Sequence, residues 1–202
     1  SPDLKVRWCS GYLKIDVCSA AIINQSRFRG IRTLILSGER GEESAARAKY
    51  PIFEPDRADL RNGKQFTRHV DRLRPIRDWK EQQVWDIIKR YRIRVHPCYY
   101  LGWARCSCKF CIFGNKNQFA SAALISPAQI AEVVACEKEF NCTIKRNTDL
   151  PTLIASGTPY QTITEELKRL ATGYNYDQPV ILPPDEPWIL PAGAFGENCG
   201  AI

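Results

Sequence analysis

The chain contains no methionine in its 202 residues. A translated chain starts with one, so this sequence is expected to be a fragment or a processed product. It also lacks any apolar run near the ~20 residues that a bilayer-spanning helix needs, so no membrane role is expected. The opening residues, S-P-D-L-K-V-R-W, carry no apolar signal segment. With no secretory signal, the nine cysteines speak against a disulfide framework. They favour a reducing, cytoplasmic setting with metal-binding or catalytic use. No internal repeat is present, and no block of like charge.

The residues present read as an ordinary folded protein. Hydrophobic residues make up 44% and charged residues 25%, and the length allows one large domain, or one with an appendage, around a real core. Lys and Arg number 29 against 22 acids, a net charge of +7 that suits an anionic ligand or nucleic acid. Acids are interspersed among the arginines from Arg57 to Arg94, so a solvated basic face is an equally open reading.

The chain reads as organised around the stretch from Arg94 to Asn115, R-V-H-P-C-Y-Y-L-G-W-A-R-C-S-C-K-F-C-I-F-G-N. Cys98, Cys106, Cys108 and Cys111 fall within fourteen of these residues. The C-x-x-C pair, Cys108 and Cys111, puts two thiolates on one tight turn, a spacing suited to zinc or an iron–sulfur cluster. Tyr99, Tyr100, Trp103, Phe110 and Phe113 could wall the site from water. The alternative is a set of reduced cysteines used as small core hydrophobes.

In chain order, Leu13, Val17, Ala20 and Ala21 recur at helical spacing, and Phe28 continues that face. This predicts a helix over about 13–28, with Cys9 in the loop before it, where the helix dipole would favour a thiolate, and with Cys18 packed inward. I-R-T-L-I-L predicts a buried strand over 31–36. A Gly-containing turn comes next, then a helical A-A-R-A-K-Y. Strand, turn and helix in that order mark where α/β folds place ligands. Arg40, Ser44 and Arg47 would project there, toward an anionic oxygen group or into ion pairs with Glu39, Glu42 or Glu43. Residues 52–67 look like a mobile loop, and Val70, Leu73 and Ile76 like a short strand or extended arm. Asp78 and Glu81 fit a cap and its partner for a helix with Trp79, Val84, Trp85, Ile87, Ile88 and Tyr91 inward. Beyond the cysteines, Ser126-Pro127 opens a helix to about Phe140, with Ile130, Val133, Val134 and Cys136 inward and Asn141 ending it. Thr158-Pro159 opens another to about Gly173, with Ile163, Leu167 and Leu170 on its face. The Pro- and Gly-rich tail should be extended, wrapping the body or free.

Four pieces taken together resemble the PAPS/APS reductase family of the PP-loop (adenine nucleotide α-hydrolase-like) superfamily. They are Cys9-Ser10-Gly11-Tyr12-Leu13-Lys14; Gly38-Glu39-Arg40-Gly41-Glu42-Glu43-Ser44 with Arg47 after it; Pro75-Ile76-Arg77-Asp78-Trp79 before a Val-Trp helix; and His96-Pro97, Gly102-Trp103, then Cys108-x-x-Cys111. The last is similar to the family's N-P-L-Y-x-x-G-Y-x-x-x-G-C-x-x-C. The resemblance covers roughly residues 8 to 115. It implies an α/β fold, a partial doubly wound sheet with a cysteine-rich metal loop over 1–115; the helix signals beyond it make 116–202 a mainly helical extension with the Pro- and Gly-rich tail. It also implies a [4Fe–4S] cluster, with zinc the alternative, held by Cys9, Cys106, Cys108 and Cys111, and Cys98 as the reserve ligand. Ser10 stands where APS reductases have a second adjacent cysteine. DNA-phosphorothioation sulfurtransferases of the same superfamily are similar in having one cysteine before the Lys helix and the rest later.

The superfamily's S-G-G-K-D-S phosphate loop is absent, and no other stretch replaces its backbone cradle. Either the first half has been cut away, which the missing methionine favours, or a partner chain supplies the loop, or nucleotide chemistry has been lost. The end of the chain, Glu197-Asn198-Cys199-Gly200, is similar to the reductases' E-C-G-L-H, in which the cysteine is the nucleophile, but it has an inserted Asn and no His. Three functions are open. One is a redox enzyme half that binds an adenine nucleotide or adenosine phosphosulfate at Arg40, Ser44 and Arg47, for reductive sulfonyl cleavage or sulfur transfer to nucleic acid. The second is a zinc-bearing nucleic-acid-binding or regulatory module. The third is a metal-free thiol redox protein using Cys106 and Cys108.

Overall fold

Two compact units meet in sequence between Glu81 and Gln82. The computed structural model describes residues 8–196. No helix among them is long and apolar enough to cross a membrane. Strands and helices are both present, so the chain is α/β in class.

The first unit opens with helical turns α1 (Trp8–Ser10), a π-helical turn (Gly11–Ile15) and α2 (Asp16–Asn24). Ser10 makes no capping bond and has helical angles, so the helix runs back through Cys9 rather than starting after it. The π turn also rotates the residues of α2 relative to a regular 3.6-residue count. The expected inward face is therefore displaced. Leu13 and Val17 are exposed, as are Ala20, Ala21 and Cys18, while Ser19 is half-buried and Ile22 buried. Ile22 packs on Ala58 and Val70, with Phe28 and Ile35 beside them.

Strand β1 (Arg32–Leu36) lies where the apolar run predicted one, although only Thr33 and Ile35 turn to the covered side. The expected helix after it is two 3-10 turns, Gly41–Glu43 and Arg47–Lys49. The stretch that looks like a loop in sequence contains β2 (Phe53–Pro55) and an isolated pairing of Leu60 with Arg68. The expected arm is β3 (His69–Leu73), the central strand of a sheet ordered β1-β3-β2, parallel to β1 and antiparallel to β2.

Charge pairs lock this unit. Arg72 binds Asp56 at 2.6 Å, Arg61 bridges Asp59 at 2.7 Å and Asp71 at 2.6 Å, and buried Arg74 bridges Glu39 at 2.6 Å and Glu54 at 2.7 Å. The Arg61 guanidinium, helped by the Val70 amide, holds Asp59 at about 2. Burial acts to raise the Glu39 carboxyl, but the Arg74 hydrogen bond and charge outweigh it and lower it. A carboxyl depressed in the fold adds stability above its unfolded pKa of about 4, and that stability is lost as pH falls through the folded value. Amide exchange at β3 is accordingly expected to stay slow at about pH 5 and to accelerate between about pH 4 and 2, within the carboxylate range. Arg61→Gln should move that loss to higher pH, and an unmoved midpoint would remove the pair from the acid response.

Helix α3 (Glu81–Arg90) starts three residues after Asp78, which pairs with Arg77, and α4 (Pro97–Tyr100) follows it in the second unit. Trp85 is the buried member of the apolar face of α3, while Ile87 and Tyr91 are exposed. The densest element, α5 (Lys116–Ile125), is one that one-sided periodicity does not reveal. Six of its ten residues are buried, and Phe119 joins Ile130 and Leu150 in one core cluster. Helix α6 (Pro127–Glu139) matches expectation in extent, and Asn141 ends it at φ 45°, but Cys136 is exposed. Next come α7 (Leu150–Ala155) and α8 (Glu165–Thr172). Thr164, which accepts from the Leu167 amide, caps α8, so this helix begins later than Pro159. The tail wraps its own unit. Ile181 pairs with Ile93, Arg94 binds Glu186 at 2.7 Å, and Trp188 donates to the Ile93 carbonyl at 3.1 Å.

Candidate metal centre

The cysteine loop hangs on a four-residue helix, α4 (Pro97–Tyr100), and on the core beneath it. His96 caps that helix, its Nδ1 accepting from the Cys98 amide at 3.1 Å, and Pro97 sits in the first turn, where it needs no amide partner. The turn out of α4 needs glycine. Gly102 has φ +102°, and a Cβ there would meet the Tyr160 ring at 2.9 Å. Trp103 then folds back, donating to the Cys98 carbonyl at 3.0 Å, and is buried edge-on to Tyr160. Leu101, Trp103, Ala122 and Ile125 form the core cluster against which Cys98 and Phe110 pack.

On this platform three donors converge. The ligand atoms of His96, Cys98 and Cys106 all lie within 4.8 Å of one another. Tyr99 fixes the approach by accepting from the Cys106 amide at 3.3 Å through its hydroxyl. Burial, then the neighbouring Cys106 charge and its hydrogen bond, pushes the Cys98 thiol well above its ordinary value. Two thiolates so placed need a cation between them, so the donor set fits a soft metal. Cys108 and Cys111 come next, on a turn closed by the Cys111 amide on the Cys108 carbonyl at 3.1 Å, and Arg105 donates to the Cys111 sulfur at 3.5 Å. Neither belongs to the converged group. Of the expected ligands, then, the structure joins Cys106 with the reserve, Cys98. It adds His96, whose signal was the H-P-C run beside Cys98. Cys9 is half-buried on α1 of the first unit. Cys199 lies outside the described residues.

The expected anion site in the first unit is a turn of paired charges. Arg40 meets Glu42 at 2.8 Å and Glu43 at 3.7 Å, and Arg47 meets Glu43. The Ser44 hydroxyl accepts from the Arg47 amide at 3.2 Å, and the Gly41 amide donates to the Arg77 carbonyl at 2.7 Å. Arg40 and Arg47 thus stand side by side with their acidic partners at hand.

Residues 5–113 match the phosphoadenosine phosphosulfate reductase domain. The chain belongs to that family. Among individual proteins it is similar to an uncharacterized 37.8 kDa protein of Escherichia phage 186, from the gpa 5' region. The two are 32% identical over 157 residues, covering 74% of this chain and 45% of the phage protein. It is also similar to the adenosine 5'-phosphosulfate reductase of Allochromatium vinosum, 28% identical over 103 residues, covering 51% of this chain and 34% of that enzyme. The chain thus spans less than half the length of either relative. No solved structure matches it.

Proposed function

We propose that this chain is the metal-bearing part of a PAPS-reductase-like enzyme that acts on an adenosine phosphosulfate-like nucleotide, by reductive sulfonyl cleavage or by sulfur transfer to nucleic acid. The observation that carries the reading is the convergence of His96, Cys98 and Cys106 inside the residues matched to the family. In this reading Cys98, Cys106, Cys108 and Cys111 are the four thiolate ligands, with Cys9, the ligand implied by the resemblance, the alternative to Cys98. A [4Fe–4S] cluster bound there would supply electrons or sulfur chemistry. Arg40 and Arg47, released from Glu42 and Glu43, would take the anionic oxygens of the nucleotide through their planar donor forks, with Ser44 positioning the backbone between them. Cys199 is the proposed thiol for the sulfonyl group. The three strands would form part of a larger doubly wound sheet whose phosphate loop comes from another segment or chain.

A second reading has its own support. His96 is a nitrogen donor among thiols, and mixed Cys/His sets suit a structural zinc ion. The chain would then be a regulatory or nucleic-acid-binding module.

Anaerobic purification, with a visible spectrum and Fe, Zn and sulfide analysis, separates the two. A broad band near about 400 nm with ~4 Fe and ~4 sulfide per chain, as a thiolate-held cubane requires, supports the enzyme reading. One colourless Zn supports the module. No metal at all would overturn both. Where the nucleotide binds, Arg40→Ala should weaken it by about tenfold or more, the loss of a charge-assisted contact. Equal affinity would remove Arg40 from the site.

A further inference from the structure

A recess lies in the second unit, walled by α8, the tail and the segment from Arg94 to Tyr100. It measures about 160 Å³. Leu167 and Leu170 of α8 supply apolar walls, Tyr100 and Tyr176 aromatic ones, and Arg94 with Glu186 the polar edge. Most of this wall lies beyond residues 5–113, the part shared with the family, and the proposed metal chemistry uses none of it.

The size and the edge together narrow the occupant. A cavity of roughly 150 Å³ lined by aliphatic side chains is enough for one aromatic ring. A plain hydrocarbon ring, however, would leave the polar edge unused. Arg94 spends one terminal nitrogen on Glu186 at 2.7 Å, while its buried Nε has no acceptor among the described residues. The Glu186 side chain is 43% exposed against 18% for Arg94, so its carboxylate reaches toward the mouth. An edge with a guanidinium donor beside a carboxylate acceptor matches a heterocycle with a ring acceptor next to an amino group. This is the pattern by which arginine and acidic side chains read bases. Tyr100 and Tyr176 offer faces for stacking. Lys168 and Arg169 flank the wall residues on α8, Arg169 exposed, and the chain carries a net +7, which would favour the phosphates attached to such a ring.

We propose that this recess binds the ring of one unpaired, amino-bearing nucleobase, with Glu186 accepting from its amino group and Arg94 donating to the adjacent ring acceptor. The base could come from a free nucleoside or from a single strand. The inference stands apart from the metal and from Arg40, and either can fail without the other.

Methyl-resolved NMR of the whole chain tests it. The titrants are cytidine, adenosine, guanosine and uridine, then a short oligothymidylate carrying one cytosine and the same strand with an abasic site there. Saturable shifts at Leu167, Leu170 and Leu182 are expected, with amino-bearing bases favoured over uridine by about fivefold or more. Glu186→Met should erase that preference, and Leu170→Trp should fill the recess and abolish binding. Cys136→Ser, at an exposed position of α6, should change neither. Tighter binding of the cytosine strand, lost with the abasic site, identifies a strand as the source. Equal or weaker strand binding identifies the free nucleoside. No saturable shift with any nucleoside overturns the proposal, whether or not Leu170→Trp folds, and so does nucleoside binding that survives a folded Leu170→Trp.

Discussion

Serine in place of Cys98 or Cys106 is expected to reduce bound metal to less than about a tenth of its normal content and to loosen the second unit, because metal affinity in such sites is largely folding free energy. Cys98 has two roles. Its sulfur lies within 4.8 Å of the His96 and Cys106 donors, and its side chain packs on the cluster of Leu101, Trp103, Ala122 and Ile125. A hydroxyl there is a poor ligand for a soft metal. Cys108→Ser and Cys111→Ser are expected to lose metal as well, while Cys136→Ser, on an exposed position of α6, should lose none. His96→Asn discriminates further. Asparagine is a good cap and occupies this place in the family motif, so the variant keeps the start of α4. Metal lost in that variant would identify His96 as a ligand and favour zinc. Metal kept there but lost at the cysteines would favour an all-thiolate cluster. Measuring Fe, Zn and sulfide in each purified variant decides the matter, and full metal in both Cys98→Ser and Cys106→Ser would end the assignment.

The same loop shows how far local sequence reaches. The crowding of cysteines between Cys98 and Cys111 is a local signal, and the family order of the motifs around it reinforces it. Which sulfurs meet is not local. Cys98 reaches Cys106 only because Gly102 turns the chain and Trp103 folds back beneath it, and that depends on Tyr160, far along the chain. Strand β3 is legible only as a short strand or arm, because Val70 and Leu73 are apolar among polar neighbours without a strict alternation. Its true partners, β1 on one side and β2 on the other, are not, since pairing over long separations leaves little local trace.

Helices escape for different physical reasons. A regular period misplaces the inward face of the first, because the π turn at Gly11–Ile15 displaces it from Leu13 and Val17 to Ser19 and Ile22. Helix α5 goes undetected because a segment buried nearly all round has no one-sided stripe. Of the arginines, Arg40 and Arg47 have their acidic partners within four residues, so those ion pairs are visible in the sequence as an alternative to an anion site. Arg74 cannot be paired in advance, because Glu39 lies 35 residues away.

The tail offers the sharpest test of how the loop is held. Gly193→Ala is expected to destabilise the second unit by about 3 kcal/mol, at the upper end for added bulk in a packed site. A Cβ at Gly193 would lie 2.1 Å from the Trp103 carbonyl oxygen and 2.9 Å from that of Tyr99. Both obstacles are backbone, which cannot swing aside as a side chain would. The Gly193 amide also donates to the Tyr99 carbonyl at 2.8 Å, so relieving the clash breaks the bond that ties the tail to the end of α4. Tyr99 and Trp103 flank the turn that carries Cys98 toward Cys106, and Trp85 lies against both Tyr99 and Phe195. Displacing the tail should therefore spread the two sulfurs as well as lower stability. Urea unfolding with metal analysis on the same samples checks it. Lower stability with weakened metal retention would establish the tail as the clamp on the loop. Lower stability with unchanged metal would confine it to packing, and an unchanged unfolding midpoint would mean that the tail does not press on Trp103 in solution.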